Sequence, residues 1–289
     1  MKIGILVNHI HKHYLVFEEA AKELNVDLKL FTYDDVDKIL LSKKQVEFQV
    51  AGKELKNLDL IYIKNSEKNY EQAILITKYC LLNNVKIIDS ALVKNQPWVD
   101  SKAYEGLVLS VAGLPTIPSI FINQKQINQV KSNVGYPCVI KKTRFTSEGR
   151  DVYLVSNQCE ARKVFKQYQE PLLVQKFIPN QGDYRVFVIG DKVVTAMQRV
   201  RGKDEKFLNN IAQGAKAIPY QVNSEEASLA IKITKTLGYQ IAGVDLFKTK
   251  TGWKIIEVNR SPGFRGLMGA TGVNIPLEIV KYLKNKAME

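Results

Sequence analysis

The stretch WKIIEVNRSPGFRG (Trp253–Gly266) decides how the chain is read. Its first half has the apolar, partly β-branched composition of a buried strand at Ile255, Ile256 and Val258. Yet Glu257 and Asn259 interrupt it, and burying a lone carboxylate is costly. Residues two apart on a strand share a face, so these two oxygen-bearing side chains project together. The preceding segment, IAGVDLFKTKTGWKIIEVN, reads as a hairpin turning near Thr249–Gly252. With its centre near Thr251, Asp245 faces Glu257. Facing carboxylates repel. A divalent cation resolves the conflict, and Mg²⁺ takes hard oxygen ligands together with substrate phosphates. The competing reading pairs the acids with lysines. The loop RSPGFRG brings Ser261 and Gly263 next to this strand, where a glycine lets backbone approach a ligand or simply turn the chain.

Working outward, the residues before this hairpin contain a second one. DYRVFVIGDKVVTAMQRV holds two apolar strands around a Gly190-Asp191 turn. The helix EEASLAIKITKTLG closes at Gly238, and IPLEIVKYLKNKA forms a terminal helix. Upstream, SKAYEGLVLSVAG reads as a helix ended by Gly113, Asn123 caps a further helix, and YPCVIKK, DVYLVS and LLVQKFIP read as strands. The first ninety residues alternate strands and helices, which predicts a parallel αβ sheet. No Gly-x-Gly-x-x-Gly follows the first strand, so a dinucleotide site is not supported. The expected organisation is three units, 1–95, 96–176 and 177–289: a parallel αβ domain, a small α+β lobe, and an α+β lobe built on an antiparallel sheet.

Composition narrows the function classes. Lys and Arg number 42 against 29 Asp and Glu, which favours anionic ligands. The lysines are dispersed, so most are read as solvated helix faces, and a nucleic-acid module lacks its clustered basic, aromatic surface. No window resembles a membrane span, and MKIGILVN reads as a strand, not a signal peptide. Cys80, Cys138 and Cys159 have no metal or redox spacing and are read as core thiols of a cytoplasmic protein. His9, His11 and His13 alternate, but no neighbouring cysteine or acid completes a metal set; substrate contact or plain surface is the reading.

The motifs taken together, AGVDLF, WKIIEVNRSPGF and TGVNI, with DSKAYEGLVLSVAGLPTIPS, YPCVIKK, LLVQKFIPNQGDYRVFVIGDKVVTAMQR and FLNNIAQGAKA before them, resemble the ATP-grasp ligases. Within these they are most similar to the RimK-type glutamate ligases and their archaeal coenzyme-glutamylating relatives. The resemblance implies an ATP-grasp fold and an ATP- and Mg²⁺-dependent carboxylate–amine ligase, with Mn²⁺ as a substitute ion. It passes through an acyl phosphate and adds glutamate or a similar amino acid to an amine or carboxylate acceptor, a small molecule or a protein tail. It implies phosphate contacts from Lys102 and Lys141, and an adenine-binding hinge at Gln175, Lys176, Phe177 and Ile178. Asp183 would hold the ribose. Arg185, Arg199 and Asn210 would serve the reacting groups, and Asp245, Glu257 and Asn259 would bind the metal. It further implies a phosphate-covering loop at Thr146–Gly149 and a homo-oligomer, dimer or tetramer. Asn8, Asn65, Ser261, Gly263 and Arg265 are the expected substrate side, following the rule that open αβ sheets bind ligands at their strand ends. The chain departs from the family pattern at Leu208, Ala215, Lys176-Phe177 and Arg265. A lysine-biosynthesis ligase, a peptide ligase and a catalytically silent nucleotide-binding scaffold are the alternatives.

Overall fold

A computed structural model describes residues 1–43, 46–66, 69–89, 91–94, 101–144, 151–200 and 216–289. The first strand, β1 (Lys2–Val7), is buried along five of its six residues, as its unbroken apolar run requires for the middle of a parallel sheet. It is followed by α1 (Val16–Glu23) and β2 (Asp27–Thr32). A small antiparallel sheet, β3 (Val36–Leu41), β4 (Val46–Val50) and β5 (Lys53–Glu54), then leads to β6 (Leu60–Ile63), α2 (Tyr70–Leu82) and β7 (Lys86–Ile88). The parallel sheet has the order β2-β1-β6-β7. The expected hairpin at QVEFQVAGKEL is β4–β5; β3, which completes its sheet, was not anticipated.

Two short helices, α3 (Ala91–Lys94) and α4 (Lys102–Val111), link this sheet to the next lobe. The Ser101 hydroxyl accepts from the Tyr104 amide and caps α4. The central lobe holds β8 (Ser119–Ile122), α5 (Gln129–Asn133), β9 (Cys138–Lys141), β10 (Val152–Val155), α6 (Gln158–Phe165) and β11 (Leu172–Lys176). Its sheet is antiparallel in the order β10-β9-β11-β8. The last lobe contains β12 (Gly182–Ile189), β13 (Lys192–Val200), β14 (Lys216–Pro219), α7 (Ser224–Leu237), β15 (Ile241–Thr249), β16 (Gly252–Asn259), α8 (Arg265–Thr271) and α9 (Ile275–Met288). Its antiparallel sheet runs β14-β13-β12-β15-β16. The Asn223–Glu226 capping box starts α7 and left-handed Gly238 ends it.

The cores are distributed unequally. Ile122, Val130, Ile140, Val164, Phe165 and Val174 make a core that belongs to the central lobe alone. The other two clusters are shared: Leu6, Ile63 and Ile76 pack with Val186, Ile233 and Val244, and Ile5 and Tyr62 with Phe187, Ile241 and Ile279. The parallel αβ sheet and the last lobe are therefore fused by continuous apolar burial, while the central lobe stands on its own. Cys80 and Cys138 lie in these cores, where burial pushes their thiols up to about 12 and about 11. Cys159 corrects the expectation: it sits on α6 and is exposed. Among the described residues no helix is long and apolar enough to cross a membrane.

Candidate active site

The β15–β16 hairpin aligns Asp245 directly opposite Glu257. It does so by a different route from the symmetric turn the sequence suggests. The pairs Thr249↔Gly252 and Leu246↔Ile255 centre the turn between Lys250 and Thr251. A bulge between Asp245 and Leu246 then leaves Ile256 as the extra residue and brings the two carboxylates into register.

Each carboxylate has its own cations. Asp245 lies flat on Arg185: Nε donates to Oδ1 at 2.7 Å and Nη2 to Oδ2 at 2.6 Å. Arg199 Nη2 donates to the same Oδ2 at 2.8 Å, and Arg199 Nε donates to Asp183 Oδ1. The ladders explain this. Asp183 pairs with Arg199 across β12–β13, and Arg185 with Asp245 across β12–β15. The two arginines, Arg199 buried and Arg185 half-buried, thus belong to a charge network, not a surface ion pair on a hairpin. Burial pushes the Asp245 carboxyl up, but Arg185 and Arg199 outweigh it and hold it below the ordinary carboxylate range. Burial likewise disfavours the Arg199 charge, and Asp245 and Asp183 more than restore it.

Glu257 is served from the other side. Lys102, the first residue of α4, places Nζ 3.7 Å from Glu257 Oε2. Asn259 Nδ2 donates to Oε1 at 3.1 Å. Burial raises the Glu257 carboxyl, while Lys102 and then Lys141 outweigh both that and the repulsion from Asp245, so it stays ionised below its usual range. Lys141 closes the fully buried strand β9 and donates to Gln175 Oε1 of β11 at 2.7 Å. Its burial lowers the ammonium to about 8, with Glu257 opposing and Lys102 adding to the fall. A cleft of about 440 Å³ opens where these groups meet, lined by Lys102, Lys141, Gln175, Glu257, Ile117 and Phe121 among others. Central-lobe cations and the acidic strand of the last lobe therefore share one cavity.

The oxygen set suits a small hard cation. Asp245 Oδ2 accepts two hydrogen bonds and Oδ1 one, which leaves one acceptor position on Oδ1. Glu257 and Asn259 are half-buried, and because their bond uses the Asn259 amide nitrogen, the Asn259 carbonyl oxygen adds an acceptor to the set. Glu257 is thus the natural anchor of the set. Among the described residues no group of three His, Cys, Asp or Glu could hold a metal; the set here consists of two carboxylates and an amide. His9 and His11 are exposed and meet edge to face at 6.2 Å.

The hinge residues lie where β11 ends. Gln175 is buried, Lys176 exposed, and Phe177 and Ile178 half-buried in the following irregular segment. The Lys176 amide donates to the Pro118 carbonyl at 2.9 Å. Asn210 and the loop Thr146–Gly149 fall outside the described residues, as do Leu208 and Ala215.

The expected substrate side is partly assembled. Asn65 Nδ2 donates to Ser261 Oγ at 3.0 Å, and Asn69 Nδ2 reaches Asn8 Oδ1 at 3.4 Å. Gly263 and Arg265 are exposed beside this group, Arg265 as the first residue of α8, a helix not anticipated. Two residues were missed. Lys64, 2 % exposed, donates to Ser261 Oγ and the Pro262 carbonyl at 3.4 and 3.3 Å. Arg260, 2 % exposed, donates to the Ile63 carbonyl at 2.7 Å and Ser66 Oγ at 3.0 Å. The signal for Lys64 was present: it follows directly on the short apolar strand β6, much as Lys141 closes the apolar run of β9.

Comparisons with known proteins agree with this architecture. The RimK-like ATP-grasp domain matches residues 116–283. A "Probable alpha-L-glutamate ligase" of Legionella pneumophila (strain Corby) is 38% identical over 158 residues, 53% of this chain and 52% of that protein. The chain spans about half the length of the curated relatives it matches most strongly. Among solved structures, the ATP-grasp ligase PsnB complexed with minimal precursor superposes with a TM-score of 0.74 at 17% identity, covering 99% of both chains. A RimK domain ATP-grasp protein from Sphaerobacter thermophilus DSM 20745 gives 0.72 at 20% identity, over 98% of this chain and 99% of that one. These two likenesses speak for the fold. With residues 116–283, more than half of its length, matched, the chain belongs to the RimK-like ATP-grasp domain family.

Proposed function

We propose that the chain is an ATP-dependent carboxylate–amine ligase that adds glutamate or a similar amino acid to an acceptor. One observation carries the reading: Lys102 and Lys141 converge with Glu257 on one cleft between lobes. A carboxylate set against two lysines at a cleft accepts polyphosphate and a divalent ion together.

In this reading Lys102 and Lys141 hold phosphate oxygens, and the segment Gln175–Ile178 presents backbone to the adenine. Asp183 is engaged by Arg199, so its first duty is to hold that guanidinium, and its ribose contact is assigned by the resemblance alone. Asp245, Glu257 and Asn259 would hold Mg²⁺, or Mn²⁺ in its place, which supplies charge neutralisation on the phosphates. Arg185 and Arg199 flank the same strand face and offer guanidinium donors to the substrate carboxylate or the transferring group. Asn210 is assigned by the resemblance alone.

A carboxylate oxygen of the substrate attacks the γ-phosphorus of ATP; the bond to ADP breaks and an acyl phosphate forms. The acceptor amine then attacks the acyl carbon, inorganic phosphate leaves, and the amide nitrogen loses its proton. The protein's part is to orient and to neutralise charge, so no nucleophilic side chain is called for. Asn8, Asn65, Ser261, Gly263 and Arg265 form the substrate side. The same reading takes the chain as cytoplasmic, in keeping with its free thiols, and as a dimer or tetramer. A protein tail is admitted as acceptor, since PsnB, of like fold, was solved with its precursor.

The test is ADP release from ATP and Mg²⁺ with L-glutamate and a panel of amine acceptors. The reading expects release that needs both partners and is lost in Glu257→Gln. Release independent of any carboxylate, or undiminished in the variant, would count against it.

A further inference from the structure

The join between the parallel αβ sheet and the loop after β16 is a directed hydrogen-bond chain. Tyr14 Oη donates to Asn65 Oδ1 at 3.1 Å, which turns the amide so that Nδ2 donates to Ser261 Oγ at 3.0 Å. Tyr33 Oη fixes the Asn65 backbone carbonyl at 2.7 Å. Lys64 Nζ donates to the same Ser261 Oγ at 3.4 Å. A hydroxyl has two acceptor positions and one proton. Both acceptor positions of Ser261 are taken by these two donors, so only its O–H remains to be used. Among the described residues that proton meets no acceptor, and the side chain is half-buried rather than sealed.

The surroundings select the acceptor by charge. Lys64 lies over the Phe264 and Tyr14 rings, 5.5 and 6.0 Å from their centroids, and Arg260 is buried beside the same strand end. Gly263 has open space around it. On the far side, Gly243 lets the Pro262 ring and the Arg185 side chain approach together: a Cβ there would lie 3.0 Å from Pro262 Cβ and 3.6 Å from Arg185 Cδ. Ser261 therefore lies at a corner where Lys64 and Arg260 are gathered, and its neighbour Pro262 and Arg185 both lie within 4 Å of where a Gly243 Cβ would sit.

We infer that Ser261, oriented by Asn65 and Lys64, is a donor-only hydrogen-bonding group that binds a carboxylate of the small, non-nucleotide substrate. Lys64, Asn65 and Tyr14 act as positioning residues. The inference rests on the ligase reading, to which it adds the polarity of the subsite and the class of group it takes.

The experiment uses the full chain with Mg²⁺ and a non-hydrolysable ATP analogue, and titrates L-glutamate, its α-amide, L-glutamine and short peptides as acids and as amides. Wild type is expected to bind at least one acid in preference to its amide. Ser261→Ala should weaken that binding ~10-fold or more, the worth of a hydrogen bond to a charged group. Ser261→Thr, which keeps the hydroxyl, should restore most of it. Asn65→Asp should abolish it, because the new carboxylate accepts the Ser261 proton and repels the ligand. Nucleotide affinity should stay within about two-fold in all three, given that Ser261 lies outside the Lys102–Lys141 cleft. Acid binding that Ser261→Ala leaves unchanged, or no acid bound by wild type that does bind the nucleotide, would overturn the subsite. If acids other than glutamate bind with this pattern, the subsite stands and the glutamate assignment falls. Loss of nucleotide binding in wild type would instead defeat the ligase reading.

Discussion

Asp245 and Glu257 face each other across one rung of the β15–β16 ladder, yet they are neutralised from opposite sides, Asp245 by two arginines and Glu257 by a lysine 3.7 Å away. Two carboxylates in the same rung thus differ in what they do for the fold. Asp245 is the shared partner of two guanidinium groups, one buried and one half-buried, whereas Glu257 has a long, partly exposed pairing.

That difference predicts opposite costs on substitution. Asp245→Ala strips buried Arg199 and half-buried Arg185 of their common partner and should destabilise the chain by about 3–5 kcal/mol. Glu257→Gln gives up only a partly exposed pair and should cost less than about 1 kcal/mol. Urea denaturation of both variants checks this; equal losses would contradict the network.

Lys141 should make nucleotide binding depend on pH. Its ammonium, lowered to about 8 by burial, is lost as pH rises through that value, so affinity for an ATP analogue should fall between pH 7 and 9.5. Lys141→Arg should flatten the profile, since a guanidinium keeps its charge. The stability effect has the other sign. The unfolded chain holds this proton more tightly, up to its ordinary 10.5, so the contribution of Lys141 to stability rises with pH between about 8 and 10.5. Lys141→Met should accordingly stabilise the ligand-free protein at pH 7 by about 1–3 kcal/mol while weakening nucleotide binding ~10-fold or more. Calorimetric melting and binding titrations separate the two.

Gly182 opens β12 with its α-carbon against the backbone carbonyl of Arg199, and an added Cβ would collide with that oxygen. Neither partner is the tip of a flexible side chain. Gly182→Ala should therefore part the β12–β13 ladder at the Asp183–Arg199 rung and cost about 1–3 kcal/mol, read by thermal unfolding.

The three thiols should react in two classes. Cys159 is exposed and should be modified by a thiol reagent in the native state within minutes at pH 8. Cys80 and Cys138, buried and raised to about 12 and about 11, should react only after denaturant is added. Native titration of more than one thiol would contradict the core assignment.

Much of this site was legible because strand periodicity is a short-range rule. Two-residue spacing alone put Glu257 and Asn259 on one face, and the hairpin turn put Asp245 opposite. The bulge at Ile256 was not legible: Ile255 and Ile256 are both apolar, and nothing in an apolar pair says which one is extra. The arginine network needs two ladders, β12–β13 and β12–β15, in register at once, and the sequence speaks only for the first of them, a hairpin. Lys64 and Ser261 are 197 residues apart, so their meeting depends on how the αβ sheet docks on the last lobe. Helix α8 was hidden by Gly266 and Gly269, whose low helix propensity made its segment read as loop. Cys159 was misjudged because a single cysteine on a short helix carries no sign of which face it occupies.

The central claim, that carboxylate activation passes through an acyl phosphate on this family scaffold, is tested most directly by isotope transfer. Each candidate acid, beginning with L-glutamate, is labelled with ¹⁸O in its carboxylates and turned over with ATP, Mg²⁺ and the acceptor panel. The account predicts one ¹⁸O atom in the phosphate released per amide formed, ADP as the nucleotide product, and no label transfer in Glu257→Gln. Unlabelled phosphate, or AMP as the product, would contradict it.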